Sequence, residues 1–138
     1  MAMSDVRVEE FLSTTRVAVI STVDAAGRPR SAPIWYHWDD GRAYLFTGRR
    51  TLKWRNLERN PHVVLCVDDR EPPYASVMVE GVVEEATDRS LYDEVLDMAV
   101  RYYGAGKGRA FAENYRENPA VVLFRIVPSR IVSFESDE

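Results

Sequence analysis

The chain has 138 residues, of which 46% are hydrophobic and 29% are charged, and its net charge is -4. This length and composition fit one globular domain, residues 1–138. The net negative charge does not fit the broadly basic face of nucleic-acid-binding proteins, so we expect no nucleic-acid partner. No run of apolar residues approaches the ~20 that a membrane helix needs, so we expect no membrane partner. An N-terminus without an apolar leader and a single cysteine, Cys66, are typical of a cytoplasmic protein.

The first part of the chain combines short strands with two helices. Ser4 is a suitable N-cap for an amphipathic helix. Turn signals after residues 23 and 38 separate apolar, β-branched segments, and Asn60-Pro61 ends a second helix that Thr51 begins. The predicted helices cover residues 4–13 and 51–59, and the predicted strands cover residues 16–23, 29–38 and 42–47.

The remaining segments continue this hairpin-linked pattern. Asp88 is the predicted N-cap of a helix whose apolar stripe runs from Leu91 to Tyr102. A glycine-rich break at residues 104–108 and the Pro72-Pro73 loop are both candidate lids, and a short helix is expected up to residue 117. The predicted strands cover residues 62–68, 74–85, 120–127 and 130–134. These elements indicate a mainly β protein with peripheral helices, a small antiparallel barrel.

Residues 47–61 carry five basic residues and one acidic residue in a chain that is acidic overall. They read as a strand end, a turn and a helix start, where unpaired backbone N–H groups favour an anion. This pattern predicts a phosphate-binding site with Thr51 and Lys53 at its centre. Arg50 and Arg55 are further candidates, either for the ligand or for solvent.

The segment from Pro33 to Trp38 is rich in aromatic residues. Its strand periodicity places Trp35 and His37 on one face and Tyr36 on the other. These aromatics can stack on a ring ligand or fill the barrel, and both readings stay open for Tyr36. Tyr36 and His37 are the candidate proton donors, since imidazole titrates near neutrality. The histidines are not joined by a cysteine cluster, so we expect no metal site.

Several short motifs along the chain together resemble the flavin-binding split-barrel superfamily that includes pyridoxamine 5'-phosphate oxidase. Within it, the chain is similar to the small members that use the deazaflavin coenzyme F-420, and the resemblance covers residues 8–134. A lysine followed by Asn-Leu and Asn-Pro before an apolar strand is the most specific combination. The motifs are residues 17–23, 27–29, 36–38 and 77–81, together with Lys53, Arg55-Asn56-Leu57 and Asn60-Pro61.

The resemblance implies a six-stranded antiparallel split β-barrel of the FMN-binding type. It also implies a homodimer with two cofactor sites at the subunit interface. The cofactor phosphate would lie near Thr51 and Lys53, and the partner subunit would contribute from the strand around Ser76. The ring system and its surroundings would be lined by Pro33, Ile34, Trp35, Tyr36, Phe46 and Thr47.

The chain departs from pyridoxamine 5'-phosphate oxidase where that family places an Arg and a Lys on the second strand. Ala32 and His37 occupy the matching positions, and an Arg-x-His motif near the C-terminus is missing. Members that use F-420 do not need these residues, and the surplus arginines suit its acidic tail. We therefore expect a coenzyme F-420-dependent oxidoreductase that transfers hydride to a small electron-poor molecule. The alternatives are an FMN-binding oxidoreductase of the same fold and a non-catalytic cofactor carrier.

Overall fold

The computed structural model describes residues 1–137, which form seven strands with helices at the periphery of the sheet. None of the helices in this range is long and apolar enough to cross a membrane. The strands are β1 (Ala18–Val23), β2 (Pro29–Ile34), β3 (His37–Asp39), β4 (Arg42–Gly48), β5 (His62–Asp69), β6 (Ala75–Glu85) and β7 (Val121–Glu135). The helices are α1 (Asp5–Ser13), α2 (Leu52–Arg59), α3 (Leu91–Tyr103) and α4 (Ala105–Ala112), and a 3-10 turn follows at Glu113–Tyr115.

The strands form one curled antiparallel sheet in the order β2-β1-β5-β6-β7-β4-β3, a half-barrel. The prediction of a mainly β fold with peripheral helices is therefore confirmed, and the architecture is consistent with a split barrel. The six strands that the resemblance implies are too few, because the described residues form seven, the number of strand segments that the sequence pattern predicts.

The predicted strand 29–38 is broken at Trp35 and Tyr36 and forms two strands, β2 and β3. Strand β2 pairs with β1, whereas β3 pairs with β4, so the chain passes from one edge of the sheet to the other at this point. At this point the chain contacts helix α3 instead of a neighbouring strand. The backbone N–H of Tyr36 donates to the Tyr102 hydroxyl at 3.5 Å, and the Trp35 ring stacks on the Tyr102 ring.

The two strands predicted at the C-terminus are one long strand, β7, that bends at a β-bulge. The register moves from Glu80 opposite Arg130 to Gly81 opposite Pro128, which leaves Ser129 as the extra residue. Proline is tolerated at a bulge because no ladder hydrogen bond is required there. Gly81 permits the close approach, since a Cβ atom at this position would lie 2.2 Å from the Val127 carbonyl oxygen.

The core fills the concave side of the sheet. Strands β1, β5 and β6 alternate between buried and partly exposed residues, as expected when one face covers a core. Helix α1 adds Phe11 and Leu12 to this core, and α2 adds Trp54 and Leu57. The predicted amphipathic helices are therefore positioned by their apolar faces.

Helix α3 begins two residues later than predicted. Ser90 is the N-cap and accepts a hydrogen bond from the Asp93 N–H, whereas the Asp88 carboxylate binds Arg125 at 2.6 Å. The prediction of a break at residues 104–108 holds only for Gly104, whose φ of 88° ends α3. The residues that follow form α4, because they pack closely against α3.

We predict that Gly108→Ala destabilises the protein. A Cβ atom at Gly108 would lie 2.6 Å from the backbone N and Cα of Val100, so α3 and α4 would have to separate. We expect a loss of about 1–3 kcal/mol in the free energy of unfolding, measured by chemical denaturation. Gly106→Ala on the same helix is the control, since no atom lies within 4 Å of its added methyl group. The control variant should be as stable as the parent or slightly more so, and equal stability of both variants would contradict the close helix crossing.

Candidate functional site

A groove with two recesses follows the free edge of β2. Strand β2 pairs with β1 on one side, and no strand among residues 1–137 pairs with its other side. The cationic recess, of about 410 Å³, is lined by Ile20, Thr22, Arg30, Ser31, Ala32, Thr51, Leu52, Lys53 and Asn56. The aromatic recess, of about 280 Å³, is lined by Val17, Pro33, Ile34, Trp35, Phe46 and Phe111. Residues 30–32 line the first recess and residues 33–35 line the second, so the two recesses adjoin successive parts of this segment.

The start of α2 forms one wall of the cationic recess. Thr51 is the N-cap, as predicted, and its side-chain oxygen accepts from the Trp54 N–H at 3.2 Å. The same hydroxyl donates to the Gly48 carbonyl oxygen at 2.9 Å. The backbone N–H groups of Leu52 and Lys53 make no hydrogen bond within the described chain. They leave this helix end with donors for an anion.

The Lys53 ammonium group is half-buried and makes no ion pair with any residue from 1 to 137. Burial lowers its pKa, because the charged form is poorly hydrated in the recess. Arg50 and Arg55 are exposed and are likewise free of ion pairs within this range, whereas Arg49 binds Glu85 at 2.5 Å. No acidic residue lines the cationic recess. The recess therefore has uncompensated positive charge that a bound anion would neutralise.

Asn56 is a wall residue to which sequence reasoning gave no role beyond its place in a family motif. Its side chain is fully buried, and its amide donates to the Thr22 hydroxyl at 3.2 Å. The side-chain oxygen accepts from Arg59 at 2.9 Å. The available signal was its position three residues after Lys53, since residues at this spacing share one face of a helix.

An aromatic cluster surrounds the second recess. The Trp35 ring stacks on Tyr102 with centroids 4.7 Å apart and planes 6° apart, and Phe111 lies 5.3 Å from Trp35. Phe46 packs edge-on against both Trp35 and Tyr115. Sequence reasoning missed Phe111, because it treated residues 104–108 as a glycine-rich break rather than as the start of a helix packed on α3.

The predicted cofactor residues other than Tyr36 separate into four groups in space. Thr51 and Lys53 line the cationic recess, and Thr47 lies beside them with its hydroxyl 3.3 Å from that of Thr51. Arg50 and Arg55 are exposed and line neither recess. Pro33, Ile34, Trp35 and Phe46 line the aromatic recess. Ser76 lies on β6, with β1 and β5 between it and β2, so a single chain does not bring Ser76 to the groove.

The Tyr36 side chain points away from both recesses and into the core. It is 2% exposed, and its hydroxyl donates to the Leu12 carbonyl oxygen at 2.9 Å. Burial raises the pKa of this phenol, which opposes release of its proton. The Tyr36 ring therefore fills the core, which is one of the two readings for this residue, and its hydroxyl faces Leu12 rather than the groove.

His37 belongs to a network of hydrogen-bonded polar side chains between β3 and α3. Its Nδ1 atom lies 2.8 Å from the buried carboxylate of Glu94 and 3.6 Å from that of Asp97. The other Glu94 oxygen accepts from Arg89 at 2.6 Å. The ligand atoms of His37, Glu94 and Asp97 converge within 4.8 Å, but Arg89 and Arg101 already balance the carboxylates. This arrangement joins two structural elements, and His37 lines neither recess.

The groove, the half-barrel and the sequence point to one family. Residues 5–134 match the family model described as pyridoxamine 5'-phosphate oxidase. The chain therefore belongs to the pyridoxamine 5'-phosphate oxidase family, a flavin-binding family. Comparison with the sequences of curated proteins gives no match.

Solved structures show the same fold. The conserved hypothetical protein Rv2991 from Mycobacterium tuberculosis has a TM-score of 0.83 and 25% identity, with 98% of this chain and 86% of that chain covered. An F420 reductase has a TM-score of 0.71 and 23% identity, covering 89% and 94%. A FAD-binding protein from Mesorhizobium loti has a TM-score of 0.70 and 22% identity, covering 99% and 98%. At these identities the similarities establish the fold.

We predict that Glu94→Gln removes stability at neutral pH and that the loss disappears in acid. Burial alone would raise the pKa of Glu94, but hydrogen bonds from His37 and Arg89 outweigh it, so the net pKa lies below its usual 4.5. A carboxylate whose pKa is lower in the folded state than in the unfolded state stabilises the fold at pH values above its unfolded-state pKa. This stabilisation is lost as the pH falls through its folded-state pKa. Urea unfolding at several pH values should show a difference of about 1–3 kcal/mol at pH 7 that shrinks below pH 4.5.

Asp97→Asn is the matched control for this variant. Asp97 lies on the same helix and also faces His37, but its side chain is 48% exposed. Solvent screening should therefore make the effect of the control variant smaller than that of Glu94→Gln. A pH-independent difference for Glu94→Gln would refute the ionic explanation.

Proposed function

We propose that this protein is a coenzyme F-420-dependent oxidoreductase, active as a cytoplasmic homodimer, that transfers hydride to a small electron-poor molecule. The observation that carries the proposal is the Lys53 ammonium group, half-buried and free of any ion pair within residues 1–137. It lies beside an α-helix N-terminus, in a recess without carboxylates. A phosphate is the ligand that this combination of charge and N–H donors favours.

The cationic recess would hold the phosphate, with donors from Thr51, Lys53 and the first N–H groups of α2. Each charge-assisted hydrogen bond to the phosphate is worth about 1.5–3 kcal/mol. Arg50 and Arg55, at and just before the first turns of α2, add exposed positive charge beyond what one phosphate requires. This surplus supports a cofactor with an acidic tail, and it is the reason to prefer F-420 over FMN.

The free edge of β2 would orient the ring system. Its outward-facing backbone groups have no strand partner in the described chain, so they can bond the polar edge of a ring that lies along residues 32–34. When bound, the reduced cofactor supplies the hydride, and the protein positions the ring and excludes water. The Tyr36 hydroxyl is buried and His37 lies outside both recesses. Solvent is therefore the proposed source of the proton that completes reduction.

The convex face of the sheet supports the proposed dimer. The strand registers align Pro33, Val19, Cys66, Met78 and Val132 in one apolar row across five strands. Met78 is 38% exposed and Phe134, on the same face, is 49% exposed. An apolar face of this kind is a candidate subunit interface. Ser76 lies on this face beside Met78, so a second copy would present its own Ser76 near the groove of the first.

An FMN-binding oxidoreductase of the same fold is the second candidate. The phosphate of FMN requires only the Thr51 and Lys53 end of the groove, and the exposed Arg50 and Arg55 side chains would then face solvent. Fluorescence titration of the protein with F-420 and FMN under identical conditions tests the choice. We expect tighter binding of F-420, and equal or tighter binding of FMN would transfer the proposal to the FMN-dependent class.

We predict that Lys53→Ala weakens cofactor binding by about 2 kcal/mol, roughly thirtyfold in Kd, because the phosphate loses its charged partner. The same titration measures the change. Lys107→Ala is the control, since Lys107 is an exposed lysine on α4 that lines neither recess. Unchanged affinity in Lys53→Ala would remove the phosphate role from this residue.

A further inference from the structure

A row of three hydrogen-bonded side chains leads from the surface to the cationic recess. The Arg59 guanidinium group donates to the side-chain oxygen of Asn56 at 2.9 Å. The Asn56 amide donates in turn to the Thr22 hydroxyl at 3.2 Å. Arg59 is exposed, whereas Asn56 is fully buried and Thr22 is 3% exposed. Asn56 and Thr22 both line the recess, so the row ends at the ligand site.

The direction of these hydrogen bonds is fixed at the arginine end. A guanidinium group has only donors, so the Asn56 atom that faces Arg59 must be the carbonyl oxygen. The Asn56 nitrogen then faces Thr22, and the Thr22 oxygen must accept. The proton of the Thr22 hydroxyl is therefore left for another acceptor, and no group among residues 1–137 accepts it.

Thr22 differs in this respect from Thr51, the other threonine that lines the recess. The Thr51 hydroxyl accepts from the Trp54 N–H and gives its one proton to the Gly48 carbonyl oxygen at 2.9 Å. A ligand must break this bond to use the Thr51 proton, whereas the Thr22 proton needs no such exchange. Because a buried donor without an acceptor is unfavourable, an anion beside Thr22 would remove that penalty as well as gain a hydrogen bond.

We propose that Thr22 donates its hydroxyl proton to the phosphate group bound in the cationic recess, and that Asn56 is the positioning residue that orients this hydroxyl. The assignment rests on the proposed function, which places the cofactor phosphate there. Thr22 lies on β1, whereas Lys53 and the free N–H groups lie on α2, so the phosphate would bridge a strand and a helix. Because this hydroxyl offers a donor, it favours a deprotonated phosphate oxygen over a protonated one.

Fluorescence titration with F-420 measures the contribution of Thr22. Thr22→Val has nearly the same shape but no hydroxyl, and we expect its Kd to rise about tenfold or more, because a charge-assisted hydrogen bond is lost. Thr22→Ser restores the hydroxyl and should recover most of this affinity. Thr87→Val removes an exposed hydroxyl that lines neither recess, and it should bind like the parent. Equal affinity of Thr22→Val and the parent would overturn the proposal.

A double-mutant cycle tests the positioning role of Asn56. Asn56→Asp keeps the shape of the side chain but replaces its donor with an acceptor, so the Thr22 proton would turn to the new carboxylate. Arg59 remains beside that carboxylate and balances its charge. We expect weaker F-420 binding in Asn56→Asp, but little further loss when the same change is made in Thr22→Val. Unchanged binding in the single variant, or losses that multiply in the double variant, would overturn the positioning role.

Inorganic phosphate separates this proposal from the proposed function. Phosphate should raise the melting temperature of the parent and of Thr87→Val, compared with potassium chloride at equal ionic strength, and should raise that of Thr22→Val less. Each variant without phosphate is its own reference, so a loss of stability from the substitution itself does not affect the comparison. An equal rise in the parent and in Thr22→Val would overturn the role of Thr22.

The two sets of measurements fail independently. A rise with phosphate that requires Thr22, in a protein that binds neither F-420 nor FMN, would refute the cofactor function and leave Thr22 as an anion-binding residue. Tight F-420 binding that Thr22→Val does not weaken would support the cofactor function and refute the role of Thr22.

Discussion

The passage of the chain from one sheet edge to the other, at Trp35 and Tyr36, is the constraint on which the site depends. The Tyr36 ring is buried in the core with its hydroxyl on the Leu12 carbonyl, and the Trp35 ring is stacked on Tyr102. Because these contacts hold residues 35 and 36 against α1 and α3, strand β2 cannot continue alongside a further strand. Its free edge is therefore left facing α2, and a groove forms where a closed barrel would have a ladder of hydrogen bonds.

The two ends of this groove have opposite chemistry for reasons that lie in different elements. The cationic end takes its character from a helix N-terminus and from Lys53, whose charge has no carboxylate partner within residues 1–137. The aromatic end takes its character from Phe46 on β4 and from Phe111 on α4. A ligand with a charged tail and a flat ring would satisfy one end electrostatically and would bring its ring toward the other. The helical pair α3 and α4 thus gives a small half-barrel an additional wall.

The hydrogen-bonded network around Glu94 joins β3 to α3. His37 and Arg89 approach the two oxygens of Glu94 from the sheet side and from the start of α3. A buried carboxylate would be costly without these partners. The network holds the N-terminal half of α3 against β3, and the aromatic stack of Trp35 on Tyr102 holds the C-terminal half. Both contacts fix the helix that supports the second recess.

The sequence by itself determined the features that depend on local chemistry. Ser4 and Thr51 were recognisable as N-caps, the turns after residues 23 and 38 were evident, and the cationic character of the α2 start could be read directly from residues 47–61. These features follow from a few neighbouring residues, so tertiary structure was not needed to find them.

Only the tertiary structure decided which residues meet across the chain. The break at Trp35 depends on a tyrosine 67 positions later, Tyr102, and the role of Phe111 depends on Gly108 allowing α4 to pack on α3. Tyr36 and His37 both looked suitable as proton donors, yet one faces the core and the other faces Glu94. Strand periodicity separates the two faces of a strand, but what each face packs against is set by contacts between distant segments.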